Sequence, residues 1–235
     1  MADGKIRWFG HSFVEFTTSD GHVVLFDPWT SGDGNPGSSV TLDDIDRADL
    51  VLVSHAHFDP TASAVAVCEK TGAMLGGAVQ TMGKIGQAGF DKDRIANFGM
   101  GFLIGGGLDL DWVSVRATPA YHASDSSVAI GFIVRASGTT VYFAGDTGIF
   151  GDMALWARLY PLDVAILPIG GIFTMDAYQA SEAVKLLNPK MVIPIHYGSF
   201  PIIAKSADEF IRLCAEKTPE VKVLAPAPGG EVALG

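Results

Sequence analysis

The sequence predicts an α/β protein built as one domain, with two sheets packed together and helices outside. Three observations lead there. Nearly all-apolar runs of strand length, such as ADLVLVSH and DVAILPIGG, suit strands buried on both faces. Segments with helical caps and stops alternate with them. A short internal repeat relates the two halves. ADLVLVSH and PKMVIPIH end on His55 and His196, and VVLFDP and VYFAGD end on Asp27 and Asp146. Two similar β/α halves facing each other would give this pattern, and no linker separates them.

The elements follow in order. The first forty residues read as strands: SFVEFTT alternates, residues 19–21 are a hairpin turn, and HVVLFDP returns. Residues 32–39 are a glycine- and proline-rich loop. The strand ADLVLVSH leads into a helix over about 61–70, stopped by Gly72. A second helix covers 79–88, with Gly89 as its stop. WVSVRATPA is a strand, and VAIGFIVRASGTTVYFAGD is a hairpin around Ser137-Gly138. The strand DVAILPIGG precedes the helix MDAYQASEAVKLLNP. There Asp176 is the cap, Gln179 falls three residues later, and Asn188-Pro189 is the stop. KMVIPIHYG is a strand, SADEFIRLCAEKTP a helix with Ser206 and Glu209 as a capping box, and VKVLAP the final strand.

Composition narrows the partners. Apolar residues form 48% of the chain and charged residues 18%, ample for a packed core. The net charge of −10 repels phosphate backbones and argues against nucleic acid. Cys68 and Cys214 lie among alanine, valine and leucine in helical segments. They read as small buried hydrophobes rather than a disulfide framework, which suits a reducing cytoplasm. The opening MADGKIRWFGHS shows no signal peptide, and no apolar run reaches the roughly 18 residues of a membrane span.

The chemistry sits at strand ends, where open α/β sheets bind ligands. His55 and His57 end one strand, His122 a second, Asp146 a third and His196 a fourth. A lone histidine there is usually an ordinary polar residue. Five ligand-type residues at four strand ends form a constellation. In SHAHFDPTAS, positions 55, 57 and 59 share a parity and project to one side if the strand continues. Two imidazoles that close can hold one ion, and the Asp59 carboxylate can reach a second. Imidazole suits zinc, iron, nickel and manganese to different degrees, so ligand type leaves the metal open.

On these residues the chain resembles the metallo-β-lactamase superfamily. SHAHFDP is similar to its signature, and His122, Asp146 in GDT and His196 follow in order. RWFGHSFVEF, LFDPW, AYHAS, FAGDTGIFGDM, LPIGGIFTM and VIPIHYGSFP extend the resemblance from Lys5 to about Gly230. They point to its small metal-dependent hydrolases, a group similar to the ascorbate-6-phosphate lactonases. The resemblance implies an αββα sandwich over residues 1–235, with two mixed sheets and helices on both outer faces. It also implies one or two divalent ions between the sheets, zinc first, with manganese, nickel or iron as alternatives. By position, His55, His57 and His122 would hold the first ion. Asp59, Asp146 and His196 would hold the second, with Asp146 bridging.

The family's remaining second-site histidine falls on Pro60. Proline fits the first turn of a helix and offers no ligand. Three outcomes stay open. The second site keeps Asp59, Asp146, His196 and water; or His11, in FGHS, fills the gap; or the protein works with one ion. His11 also reads as a partner that orients a ligand. His22, just after a hairpin turn, reads as solvent-facing.

The implied activity is hydrolysis of a small ester, lactone or phosphate ester by metal-activated water. Asp59 is the candidate to hold or deprotonate that water. Tyr197 is the candidate to stabilise an oxyanion or donate a proton, with a packing role as its alternative. GGIFTM is expected to line the site, with Phe173 and Met175 as an apolar wall. Other classes compete: a diiron redox centre, a metal-binding protein without turnover, and a nuclease. Redox relatives usually place glutamate where His57 stands, and nuclease relatives carry basic surfaces and extra domains. The expected partner is a small-molecule substrate, with no nucleic acid and no membrane. A homo-oligomer is compatible with the sequence.

Overall fold

The computed structural model describes residues 4–38 and 40–234. Two mixed sheets face each other. In the first, β1 (Lys5–Gly10), β2 (Phe13–Thr17) and β3 (Val23–Phe26) form an antiparallel meander. β4 (Leu50–Val53) and β5 (Met74–Gly77) then add in parallel beyond β3. In the second, β6 (Gly107–Asp109), β7 (Val113–Pro119), β8 (Ile130–Ala136) and β9 (Thr139–Phe143) are antiparallel. β10 (Val164–Pro168), β11 (Met191–Ile195) and β12 (Lys222–Val223) continue in parallel. β13 (Glu231–Ala233) returns to the first sheet and pairs antiparallel with β1.

This topology gives the sequence repeat its physical content. VVLFDP is β3 and VYFAGD is β9, and each is the strand at which its sheet switches from antiparallel to parallel pairing. The histidine-ending pair corresponds less closely. β4 adjoins β3, whereas β11 lies one strand beyond β9's neighbour β10.

Three apolar cores hold four layers. Between the sheets, Phe26 stacks on Phe143 with centroids 4.7 Å apart. After β4 come α1 (Phe58–Thr61) and α2 (Ala64–Thr71), and after β5 come α3 (Val79–Gln87) and the short α4 (Ala96–Gly99). Outside the first sheet, α2 and α3 bury Val67, Cys68 and Met82 against Leu25 and Val51. Outside the second, α5 (Met153–Leu159), α6 (Ala177–Leu187) and α7 (Asp208–Lys217) bury Met153, Val184 and Phe210 against Ala165 and Leu167. β4 shows why its sequence is apolar throughout. Leu50 and Leu52 face the inner core, Val51 and Val53 the outer one. This is the αββα arrangement expected.

Local chemistry matches expectation at several ends. Gly72 stops α2 in the left-handed region, and the Asp176 carboxylate accepts from the Gln179 N–H at 2.7 Å to cap α6. Other expectations need correction. The helix expected over 61–70 is two pieces, α1 (Phe58–Thr61) and α2, with Ser63 between them. Pro60 sits buried in the first turn of α1. Ser206 and Glu209 form no capping box. α7 begins one residue later than that pattern needs, and the Ser206 hydroxyl accepts from Asp208 N–H at 3.4 Å. His22 is half-buried rather than solvent-facing, stacked on Trp112 at 4.3 Å and 3.6 Å from the Asp49 carboxylate. Both cysteines are buried, and burial pushes the Cys68 thiol up to about 12. Among the described residues no helix is long and apolar enough to cross a membrane.

Candidate metal centre and active site

The strands end on the same rim of the sandwich, and the loops beyond them carry the site. His55 and His57 follow β4, His122 follows β7, Asp146 follows β9 and His196 follows β11. His11 lies in the tight turn between β1 and β2. Backbone hydrogen bonds lock these loops across the two sheets. His196 N–H donates to the His11 carbonyl at 2.9 Å, and Ile130 N–H donates to the Ser54 carbonyl at 2.9 Å. The Trp8 indole N–H also donates to the His11 carbonyl, at 2.9 Å.

His55, His57 and His122 each turn a ligand atom into one space, all within 4.8 Å of one another. His55 Nε2 and His57 Nδ1 stand 2.9 Å apart. Beside them, Asp146 Oδ2 lies 3.8 Å from His122 Nε2 and 3.1 Å from His196 Nε2. His11 packs ring against ring on His196 at 4.1 Å, and its Nε2 lies 3.4 Å from Asp59 Oδ2. The structure therefore brings together all seven expected metal ligands. Convergent imidazole nitrogens and carboxylate oxygens, with few protons to share among them, are a donor set that fits divalent ions.

Three residues here adopt left-handed backbone: His11 at φ 52°, Asp27 at φ 44° and His196 at φ 59°. Such strain in non-glycine residues concentrates at functional sites. Glycines make the close approach feasible. A Cβ on Gly10 would collide with the Gly37 carbonyl, and one on Gly170 would lie 2.7 Å from His196 Nδ1.

Partners outside the cluster aim the ligands. Asp27, buried at the end of β3, accepts from Ser54 N–H at 2.7 Å and from the Ser54 hydroxyl at 2.6 Å. Ser54 Oγ in turn meets His55 Nδ1 at 2.9 Å, leaving Nε2 for the cluster. His11 Nδ1 is held by Ser199 Oγ at 2.6 Å, leaving its Nε2 toward Asp59. Burial pushes the His55 imidazolium down to about 4, keeping the ring neutral at pH 7. Burial also raises the Asp27 carboxyl well above its usual value, against the hydrogen bonds from Ser54. For Asp146 burial acts in the same direction, but the neighbouring His196, together with His55 and His11, outweighs it and holds the carboxyl well below the usual range.

A cavity of about 400 Å³ opens over the cluster. Phe173 lines it, as expected, but Met175 does not: it is fully buried in the core beneath α6. Tyr197 is elsewhere too. It is half-buried, stacked on Trp8 at 4.8 Å, and lines a separate cavity. A left-handed His196 turns the following residue away from the cluster, and the packing role fits this position. Trp29, Phe58 and Phe200 line the ligand cavity instead. Sequence reasoning missed these three, and also Ser54, Ser199 and the role of Asp27. All six sit inside stretches that carried the resemblance or its signature, Ser54 as the first residue of SHAHFDP.

Comparison with known proteins agrees with this architecture. Residues 5–196 match the model of the beta-lactamase superfamily domain. A UPF0173 metal-dependent hydrolase of Nitratidesulfovibrio vulgaris strain DP4 is 44% identical over 98% of this chain and 95% of its own. One from Caldivirga maquilingensis is 39% identical over 96% of each. A solved metallo hydrolase of the hyperthermophilic archaeon Ignicoccus hospitalis superposes with a TM-score of 0.88, at 37% identity over 98% of both chains. The chain therefore belongs to the metallo-β-lactamase superfamily, within its UPF0173 group of metal-dependent hydrolases.

Proposed function

We propose that this chain is a hydrolase that uses metal-activated water on a small ester, lactone or phosphate ester. The observation that carries the reading is the convergence of His55, His57 and His122 beside Asp146, His196, His11 and Asp59, all but His55 lining one cavity. His55, His57 and His122 would hold a first ion. Asp59, Asp146 and His196 would hold a second, with Asp146 shared. His11 is proposed to take the place that Pro60 leaves vacant, supported by its Nε2 facing Asp59 and its ring lying on His196. Zinc is the first choice of metal, with manganese, nickel or iron as alternatives.

A divalent ion in this position lowers the pKa of a water ligand toward about 7 and polarises the substrate's oxygen. The chain's own groups do the rest. Asp59 is only partly buried and can accept the water's proton at Oδ2. Ser54 and Ser199 hold the rings of His55 and His11 in place, so no reorientation is needed during reaction. The cavity walls shield the reacting bond from bulk water. We read the chain as one domain, because β13 closes the last strand onto the first. Two buried free thiols support placing it in a reducing cytoplasm.

Metal analysis of purified protein, paired with a panel of neutral esters, lactones and phosphate esters, tests this. At least one ion per chain is expected, with turnover that a chelator abolishes and added metal restores. Metal well below one ion per chain sinks the reading, and metal without any turnover favours a binding protein. An iron absorption band in the visible would favour redox chemistry.

A further inference from the structure

The remaining question at this site is what the cavity accepts beyond the reacting bond. We propose that the substrate is an ester or lactone whose uncharged, apolar, ring-sized group lies on an aromatic wall made by Trp29, Phe58 and Phe200. The inference rests on the hydrolase reading above and names the substrate class for that site.

The wall is continuous. The Trp29 ring meets Phe58 edge-on at 5.9 Å and stacks near Phe200 at 6.1 Å. The His11 ring meets Trp29 edge-on at 5.3 Å and Phe200 at 5.5 Å. An aromatic surface thus leads from the cavity mouth to the His11–Asp59 pair. Trp29 is buried, but Phe58 and Phe200 are 66% and 39% exposed, and Phe173 is 51% exposed. Large aromatic side chains left in water at one cavity are a cost that a bound apolar group removes. Their edges and faces suit a planar ring.

Charge sets the other half of the specificity. Among the described residues lining the cavity there is no lysine or arginine; beside the histidines, its only ionisable side chains are Asp59 and Asp146. The chain as a whole carries −10. Lys205 lines the separate cavity beside Tyr197. A ligand anion reaching past the cluster would rest on bare aromatic rings without a counter-charge, and burying an unpaired charge is strongly disfavoured. This removes substrates with a charged tail beyond the reacting bond from the candidates.

Two matched pairs test the proposal on the zinc-loaded protein. The first compares kcat/KM for 2-naphthyl acetate and for its ring-sulfonated analogue. The second compares binding of the corresponding amides, N-(2-naphthyl)acetamide and its ring sulfonate, by calorimetry. The neutral member of each pair is expected to win by about tenfold or more, because the sulfonate finds no partner on the wall. Phe58→Ala and Phe200→Ala should each weaken the neutral amide severalfold while metal content stays unchanged. Equal or tighter binding of the sulfonate overturns the proposal, and so does a neutral amide indifferent to both substitutions. Neutral-selective binding without turnover of either ester supports the wall's preference and counts against aryl acetates alone; the hydrolase reading falls only if the wider panel of esters, lactones and phosphate esters is also left intact.

Discussion

His11 Nε2 lies 3.4 Å from Asp59 Oδ2, so the β1–β2 turn meets the start of α1 beside Pro60, the position to which the resemblance would give a histidine. If His11 fills that place, His11→Ala loses the second ion and keeps the first. Pro60→His should then leave second-ion affinity unchanged, because the position is taken. Metal content by mass spectrometry and chelator competition check both. Equal metal in His11→Ala and wild type would remove His11 from the ligand set.

The Asp27–Ser54–His55 chain fixes which ring nitrogen of His55 faces the cluster. Ser54→Ala is expected to weaken the first ion by about 10- to 100-fold, the usual effect of losing such an outer partner. Asp27→Asn should act in the same direction through Ser54. Competition with a chelator of known affinity measures the change, and unaltered affinity in both variants would mean the chain is only structural.

Acid should weaken the metal-free protein through His55. Its folded-state imidazole takes a proton only near pH 4, against 6.5 in the unfolded chain. Between those values the unfolded chain binds more protons, so this contribution is complete above pH 6.5 and lost as pH falls toward 4. The gap is worth about 3 kcal/mol at most. His196, raised by Asp146 against its own burial, runs the opposite way. Because His55→Gln keeps His196, comparing the two proteins isolates His55. Urea unfolding at pH 7 and pH 4.5 should show a larger acid loss in wild type. Parallel losses would rule this contribution out.

Tyr197 stacks on Trp8 in a different cavity from the ligands. Tyr197→Phe should therefore keep kcat within about twofold, since no proton transfer passes through its hydroxyl. A loss of a hundredfold, with metal content intact, would return the hydroxyl to catalysis.

Phe26 and Phe143 tie the two sheets together. Phe26→Ala should cost about 3–5 kcal/mol, as expected for emptying a packed aromatic site. Denaturant midpoints at constant m-value measure it. A cost below 1 kcal/mol would mean that the neighbouring side chains collapse into the gap.

The strand-and-helix pattern was legible wherever one local rule acted alone. β4 and β10 showed as unbroken apolar runs because both faces are buried. The β8–β9 hairpin showed in Ser137-Gly138, and both residues do adopt positive φ. The missed elements lack such signals. β5 is four residues long, two of them glycine, and exists because β4 offers it an edge. β6 and β13 are three-residue strands that depend on their pairing with β7 and β1. The metal candidates were legible because histidine and aspartate at strand ends are chemically conspicuous. The aromatic wall was not, because Trp29, Phe58 and Phe200 come from three distant stretches of chain and meet only after folding. Tyr197 and Met175 were misplaced for a related reason. Adjacency to a site residue says nothing about direction when the backbone turns left-handed or a loop dips into the core.

The left-handed backbone at His11 and His196 also bears on how the molecule can change over time. A side chain in that region costs about 1–2 kcal/mol that glycine would not incur. For the backbone alone, drift toward glycine at either position is therefore downhill. What opposes that drift is the hold of the two rings on their neighbours. Stability and chemistry pull in opposite directions at these two residues.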